Sequence, residues 1–261
     1  MENFHGKNFV KKDFSNVKVM ATKIAVCLEV GPDATGAFVP SCPGCWVFGL
    51  SPERALAKVK NAVAEWFNWL KSHGEAVPAE AKKFEIEVAE ILRVNYNPAE
   101  AGKPEPLFWS EVLPITRRDV ERTLQLMKYS REDLLKCVSG LSDECLDWLP
   151  PGQPRTIRNC LRHIAYVEPW YITRLEVELP LKYPRNVFKM LDYTRRVVVD
   201  YLKGMPRSKM RGVFQPKKDK SPLCNLWTAR KVLRRLIDHE RLHTRYIVKL
   251  LQNYQNAGKV Y

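Results

Sequence analysis

The sequence predicts an α+β amino-terminal domain, ordered strand-strand-strand-helix-strand, followed by an all-α four-helix bundle. Three observations lead there. Short alternating apolar runs, broken by Gly, Pro and Asp, occupy the first hundred residues, the pattern of half-buried strands and turns. From Ile115 onward the apolar spacing becomes three and four, the helical period, over four long stretches. Between them, Tyr96 to Pro114 is rich in proline and reads as a linker. The expected divisions are therefore 17–95, 96–114 and 115–253.

At 261 residues the chain is long enough for two cores, and 45% hydrophobic with 28% charged residues is ordinary globular composition. No apolar run approaches the ~20 residues of a membrane span. Met1 to Asp13 has no apolar signal core, so the expectation is a cytoplasmic protein without membrane association. Seven scattered cysteines, an odd number, agree with a reducing compartment.

Taken in order, Val17 to Val30 reads as a strand with Ile24, Val26 and Leu28 on one face, ended by Gly31-Pro32-Asp33. Ala37 to Pro40 is extended, Cys42-Pro43-Gly44-Cys45 turns, and Trp46 to Gly49 is a third strand. Ser51-Pro52-Glu53 opens a helix with serine at the cap and proline at its first position. Its apolar side runs Ala55, Val59, Ala62, Val63, Trp66, Phe67 and Leu70, and Phe84, Ile86 and Val88 alternate as a fourth strand. Cys42 and Cys45 have the spacing of half a zinc site or a redox pair. The next cysteines, Cys137 and Cys145, lie far along in a helical region, and the pair sits between strands rather than opening a helix, which favours plain turn chemistry. In the linker, Phe108 and Trp109 are expected to staple the chain to a neighbouring domain.

The run Phe38 to Cys45 followed by Ser51-Pro52-Glu53-Arg54-Ala55-Leu56 resembles the HicB-like antitoxin domain over about Val17 to Val94. That resemblance implies a small, partly RNase H-like fold used for protein contact and no catalysis. Cys42 stands where the family has an apolar residue, and no DNA-binding tail follows the fourth strand.

The four helical stretches are Thr116 to Val138, Thr156 to Leu175, Asn186 to Met205 and Thr228 to Asn253. In the last, Val232, Leu236, Ile247 and Leu250 share a line with His239 and His243. Positions i and i+4 stack about 5–6 Å apart at Cβ, so one ion can accept a nitrogen from each ring. A useful divalent site takes at least three protein ligands. Of the five histidines, His5 lies in the leader and His73 at a helix end, leaving His163 on the line Cys160, His163, Val167, Tyr171. Three inward imidazoles from two helices make a metal site with open positions, able to activate water or a thiol. The competing reading is three core histidines bonded to backbone carbonyls. Glu240 follows His239 as in H-E-x-x-H, but it lies a residue off the ligand line and reads equally as an exposed or supporting glutamate. Asp238 reads as a surface residue, Tyr166, Glu168 and Tyr171 are weaker candidates, and no catalytic base is assigned. Pro169 removes a bond to the carbonyl of Ala165 and predicts a kink near His163.

The net charge of +14 is carboxy-terminal: up to Ser110 there are 13 basic and 13 acidic residues, and beyond it 30 against 16. Lys182 to Lys220 holds 12 basic and 3 acidic residues, an anion-facing surface at most, because no aromatic ladder or nucleic-acid motif accompanies it. Nucleic acid is not an expected partner.

Thr156 to Ala165, then Glu168 and Trp170-Tyr171, and later Val232 to His243, resemble the DinB-like (DinB/YfiT) superfamily over most of Ile115 to Gln252. The resemblance implies a four-helix bundle whose histidine triad binds a divalent metal, zinc or nickel, and by position assigns His163, His239 and His243 as ligands. Characterised members of the family this chain resembles include metal-dependent transferases using small-molecule thiols, and the expected activity is such a transfer or a metal-dependent hydrolysis. An acidic substrate suits the uncompensated dication, and the amino-terminal domain is expected to bind a protein partner or self-associate. The alternative is a non-catalytic antitoxin-like or stress-related interaction protein with a structural metal.

Overall fold

The computed structural model describes residues 22–77, 83–100, 106–216 and 226–258. Met1 to Asp13, His5 and the start of the expected first strand lie outside them. So do 101–105 of the expected linker and 217–220 of the basic stretch.

An amino-terminal sheet region precedes a helical region. Strands β1 (Thr22–Val30), β2 (Thr35–Phe38) and β3 (Trp46–Gly49) form an antiparallel meander. Helix α1 (Pro52–Ser72) then crosses back so that β4 (Phe84–Arg93) lies parallel to β1, giving the order β3-β2-β1-β4. Ser51 starts α1 by accepting from Arg54 N at 3.3 Å, with Pro52 behind it. Ile24, Val26 and Leu28 are buried against Val59, Val63 and Trp66 of α1 in one apolar core. Across β1 and β4 the register slips between Val26 and Cys27. That bulge and the carboxylates Glu85 and Glu87 break up the β4 edge, a common protection of strand edges.

The 96–114 segment holds a short helix, α2 (Trp109–Val112). Phe108 is buried against Phe38 with ring centres 5.2 Å apart, but Trp109 is 75% exposed, so only the first of the two aromatics staples.

Four long helices follow: α3 (Arg117–Val138), α5 (Ile157–Thr173), α6 (Val187–Gly204) and α8 (Ala229–Asn256). Each begins at a side-chain cap, respectively Thr116, Thr156, Asn186 and Thr228. Short elements interrupt the connections: α4 (Asp143–Asp147), α7 (Arg207–Arg211) and a ribbon of β5 (Val213–Phe214) with β6 (Trp227–Thr228). Helix α5 runs continuously through Pro169, which is buried inside it. Among the described residues no helix is long and apolar enough to cross a membrane.

The sheet packs on the helical region through α8. From Lys231 to Glu240 every residue of α8 is buried, charged ones included. This corrects the reading of Asp238 as a surface residue and of Glu240 as an exposed one. The partners that make such burial affordable come from distant sequence. Asp238 accepts from Gly44 N and from Arg234 Nη1 at 2.7 Å, and Arg234 Nε reaches Glu111 Oε1 at 2.7 Å. Arg234 and Arg235 lie over the rings of Phe38 and Trp46 at 4.9 and 5.1 Å. Lys231, fully buried, donates to Leu226 O at 3.1 Å and covers the Trp227 ring. Amphipathic periodicity sees only apolar stripes, so it has no view of charges buried on the opposite face.

Candidate metal centre

The three histidines converge. Thr156 sets the phase of α5 by accepting from Asn159 N at 3.1 Å, and Thr228 sets that of α8 by accepting from Lys231 N at 3.2 Å. His163 on α5 then faces His239 and His243 on α8. His163 Nε2 and His239 Nε2 are 3.1 Å apart, and one nitrogen from each of the three rings lies within 4.8 Å of the others. Two nitrogens sharing one tetrahedral zinc at about 2.0–2.1 Å are about 3.3 Å apart; the His163–His239 pair is close to that, while the 4.8 Å span of the three is wider, so a ring must turn inward for all of them to reach one ion. Among the described residues none of the three imidazoles is hydrogen-bonded to a backbone carbonyl. The core-histidine alternative required such bonds.

Burial keeps the rings neutral. It lowers His163 to about 4 and His243 to about 3, and it holds His239 well below the ordinary imidazole value. The positive field of Arg155 acts in the same direction on all three, and that of Arg235 on the two α8 rings. Neutral imidazoles present the lone pairs a cation needs. His239 is 7% exposed, whereas His163 and His243 are half-buried, so the triad is closed on one side and reaches the surface on the other.

The closed side is an ion network drawing one residue from each long helix. Arg131 of α3 donates to Glu240 Oε1 at 2.6 Å and to Glu168 Oε2 at 3.0 Å, while Arg195 of α6 pairs with the same two carboxylates. Burial alone would raise the Glu240 carboxyl; Arg131 and Arg195 overcome it and hold it below the usual range. A void of about 10 Å³, room for about one water, separates this network from His239, with Tyr171, Ile164 and Leu236 completing its walls. Glu240 therefore does not occupy the base position of H-E-x-x-H. It and Glu168 are both committed to arginines, and neither is a free proton acceptor.

Other neighbours fill in the surroundings. Cys160 Sγ is 3.4 Å from His243 Nδ1, and burial pushes its thiol up to about 12. Tyr171 is buried with its ring centre 5.7 Å from His239, and its hydroxyl accepts from Arg235 Nη2 at 2.9 Å. Tyr166 is instead 48% exposed and packs on Tyr183, away from any role suggested by the sequence. The sequence signal for Cys160 and Tyr171 was their place on the His163 line. Nothing comparable pointed to Arg155 or Arg235.

Residues 126–247 match the DinB superfamily. The helical part of the chain is DinB-like over that range, which contains all three histidines, and members of this superfamily commonly bind divalent metals. No curated protein and no solved structure matches the chain.

Proposed function

We propose that His163, His239 and His243 hold one divalent metal ion, zinc or nickel, and that the DinB-like part is a transferase acting on a small-molecule thiol. Within this reading α3, α5, α6 and α8 are the four-helix bundle, 115–253 the catalytic domain, 96–114 the connection and 17–95 a module for protein contact or self-association. The HicB-like reading of that module rests on the Phe38 to Cys45 turn and the Ser51 helix start.

The supporting observation is the charge balance around the triad. Its ligands are neutral, Arg155 and Arg235 add positive field, and the nearest carboxylates are already ion-paired. When bound, the ion supplies Lewis acidity sufficient to keep a thiol ionised near neutral pH. The arginines favour an anionic reactant at the half-exposed side, and the inner network excludes bulk water behind His239. Hydrolysis assisted by a carboxylate base is less well served, because Glu168 and Glu240 are locked. The test is thioether formation from a small-molecule thiol and an electrophilic substrate by metal-loaded protein. Turnover that disappears in His239→Ala supports the transferase reading. Full metal occupancy without turnover across several thiols moves it to a structural metal, a role favoured by the 10 Å³ limit of the inner void.

A further inference from the structure

On the face of α8 turned away from the histidines, a second polar cavity of about 110 Å³ lies where the sheet region meets the helical region. It is lined by Trp69 of α1, Ser130 and Asp133 of α3, and Arg241, Thr244 and Arg245 of α8. Arg241 is held rigidly, with its guanidinium 3.7 Å over the Trp69 ring. On its other side is Gly44, where a Cβ would come within 2.5 Å of Arg241 Cδ. Among the described residues no carboxylate lies within 4.0 Å of this guanidinium, and its buried Nε has no acceptor. Arg245 lines the same cavity beside Arg241, so two cations crowd one another here. Asp133 offsets them only in part, because its carboxylate already accepts from Trp69 Nε1 at 2.7 Å and meets His73 Nε2 at 3.2 Å. Ser130 is 1% exposed, and among the described residues its hydroxyl has no hydrogen-bond partner.

Two adjacent arginines and an unsatisfied buried hydroxyl around a small cavity are an expensive arrangement unless an anion completes it. We propose that Arg241, Arg245 and Ser130 bind a phosphoryl oxyanion, either inorganic phosphate or the phosphate of a small monoester. The planar guanidinium of Arg241 matches two phosphate oxygens, Arg245 neutralises the second charge and Ser130 donates to a third oxygen. The cavity takes one tetrahedral anion but no larger group, so the rest of a monoester would project past Arg245 into solvent. Because Trp69 and Gly44 belong to the sheet region and the cations to α8, the bound anion would also strengthen that junction. The site is independent of the histidines and of the proposed transferase activity.

The test is calorimetric titration of the full chain with inorganic phosphate and, separately, with glycerol phosphate, against chloride at matched ionic strength. Wild type is expected to bind phosphate saturably. Ser130→Ala and Arg245→Ala, one removing an unpartnered hydroxyl and the other an exposed side chain, should keep the fold and weaken binding about tenfold or more. Binding of both ligands identifies a monoester site, and binding of phosphate alone a free-anion site. No saturable binding in wild type overturns the proposal. So does binding that survives in both variants but disappears in His239→Ala, which would place the anion at the histidines.

Discussion

His163 and His243 titrate at about 4 and about 3, against 6.5 for a free imidazole, because burial disfavours their charged forms. As pH falls below 6.5 the unfolded chain takes up these protons first, so protein stripped of metal should lose stability progressively from pH 6.5 toward 3. Thermal melts with chelator across that range check this, and a melting temperature flat between pH 7 and 5 would contradict it. The grouping of the three rings was legible in the sequence, since i,i+4 spacing and membership of an apolar line both follow from helical geometry. Asp238 and Glu240 were not. Their burial depends on Gly44, Arg131 and Arg195, brought close by tertiary packing that leaves no trace in local periodicity.

At the level of elements, the helix starts Thr116, Thr156, Asn186 and Thr228 were readable because a cap is a local device, needing only its own side chain and the next turn. Thr156→Ala should cost about 1 kcal/mol, measured by urea unfolding, with a larger proportional loss of metal affinity because this cap orients the helix carrying His163. The short helix α2 was hidden in a proline-rich stretch whose composition argued for a loop, and its order depends on Phe108 and Glu111 being buried by other elements. Pairing among Arg131, Glu168, Arg195 and Glu240 ties α3, α5, α6 and α8 together. Glu240→Ala leaves the buried Arg131 and the half-buried Arg195 sharing Glu168 alone, and it should destabilise the protein by about 3–5 kcal/mol. A loss below about 1 kcal/mol in equilibrium unfolding would show that the network is not holding the helices.

In the molecule as a whole, sheet and helices share one apolar cluster running from Ile24 through Trp66 to Leu236, reinforced by Gly44 against α8. Unfolding followed by far-ultraviolet circular dichroism and by tryptophan fluorescence should therefore give coincident transitions, and separated midpoints would mean that the two regions unfold independently. Gly44 has φ of +89° and no room for a Cβ beside Arg241, so Gly44→Ala should lower that common transition by about 1–3 kcal/mol. The functional account turns on the metal, and elemental analysis after purification under metal-replete conditions tests it most directly. The prediction is about one divalent ion per chain in wild type, with its loss from folded His163→Ala and His239→Ala. Wild-type protein that holds no ion, or variants that keep it, would contradict the assignment.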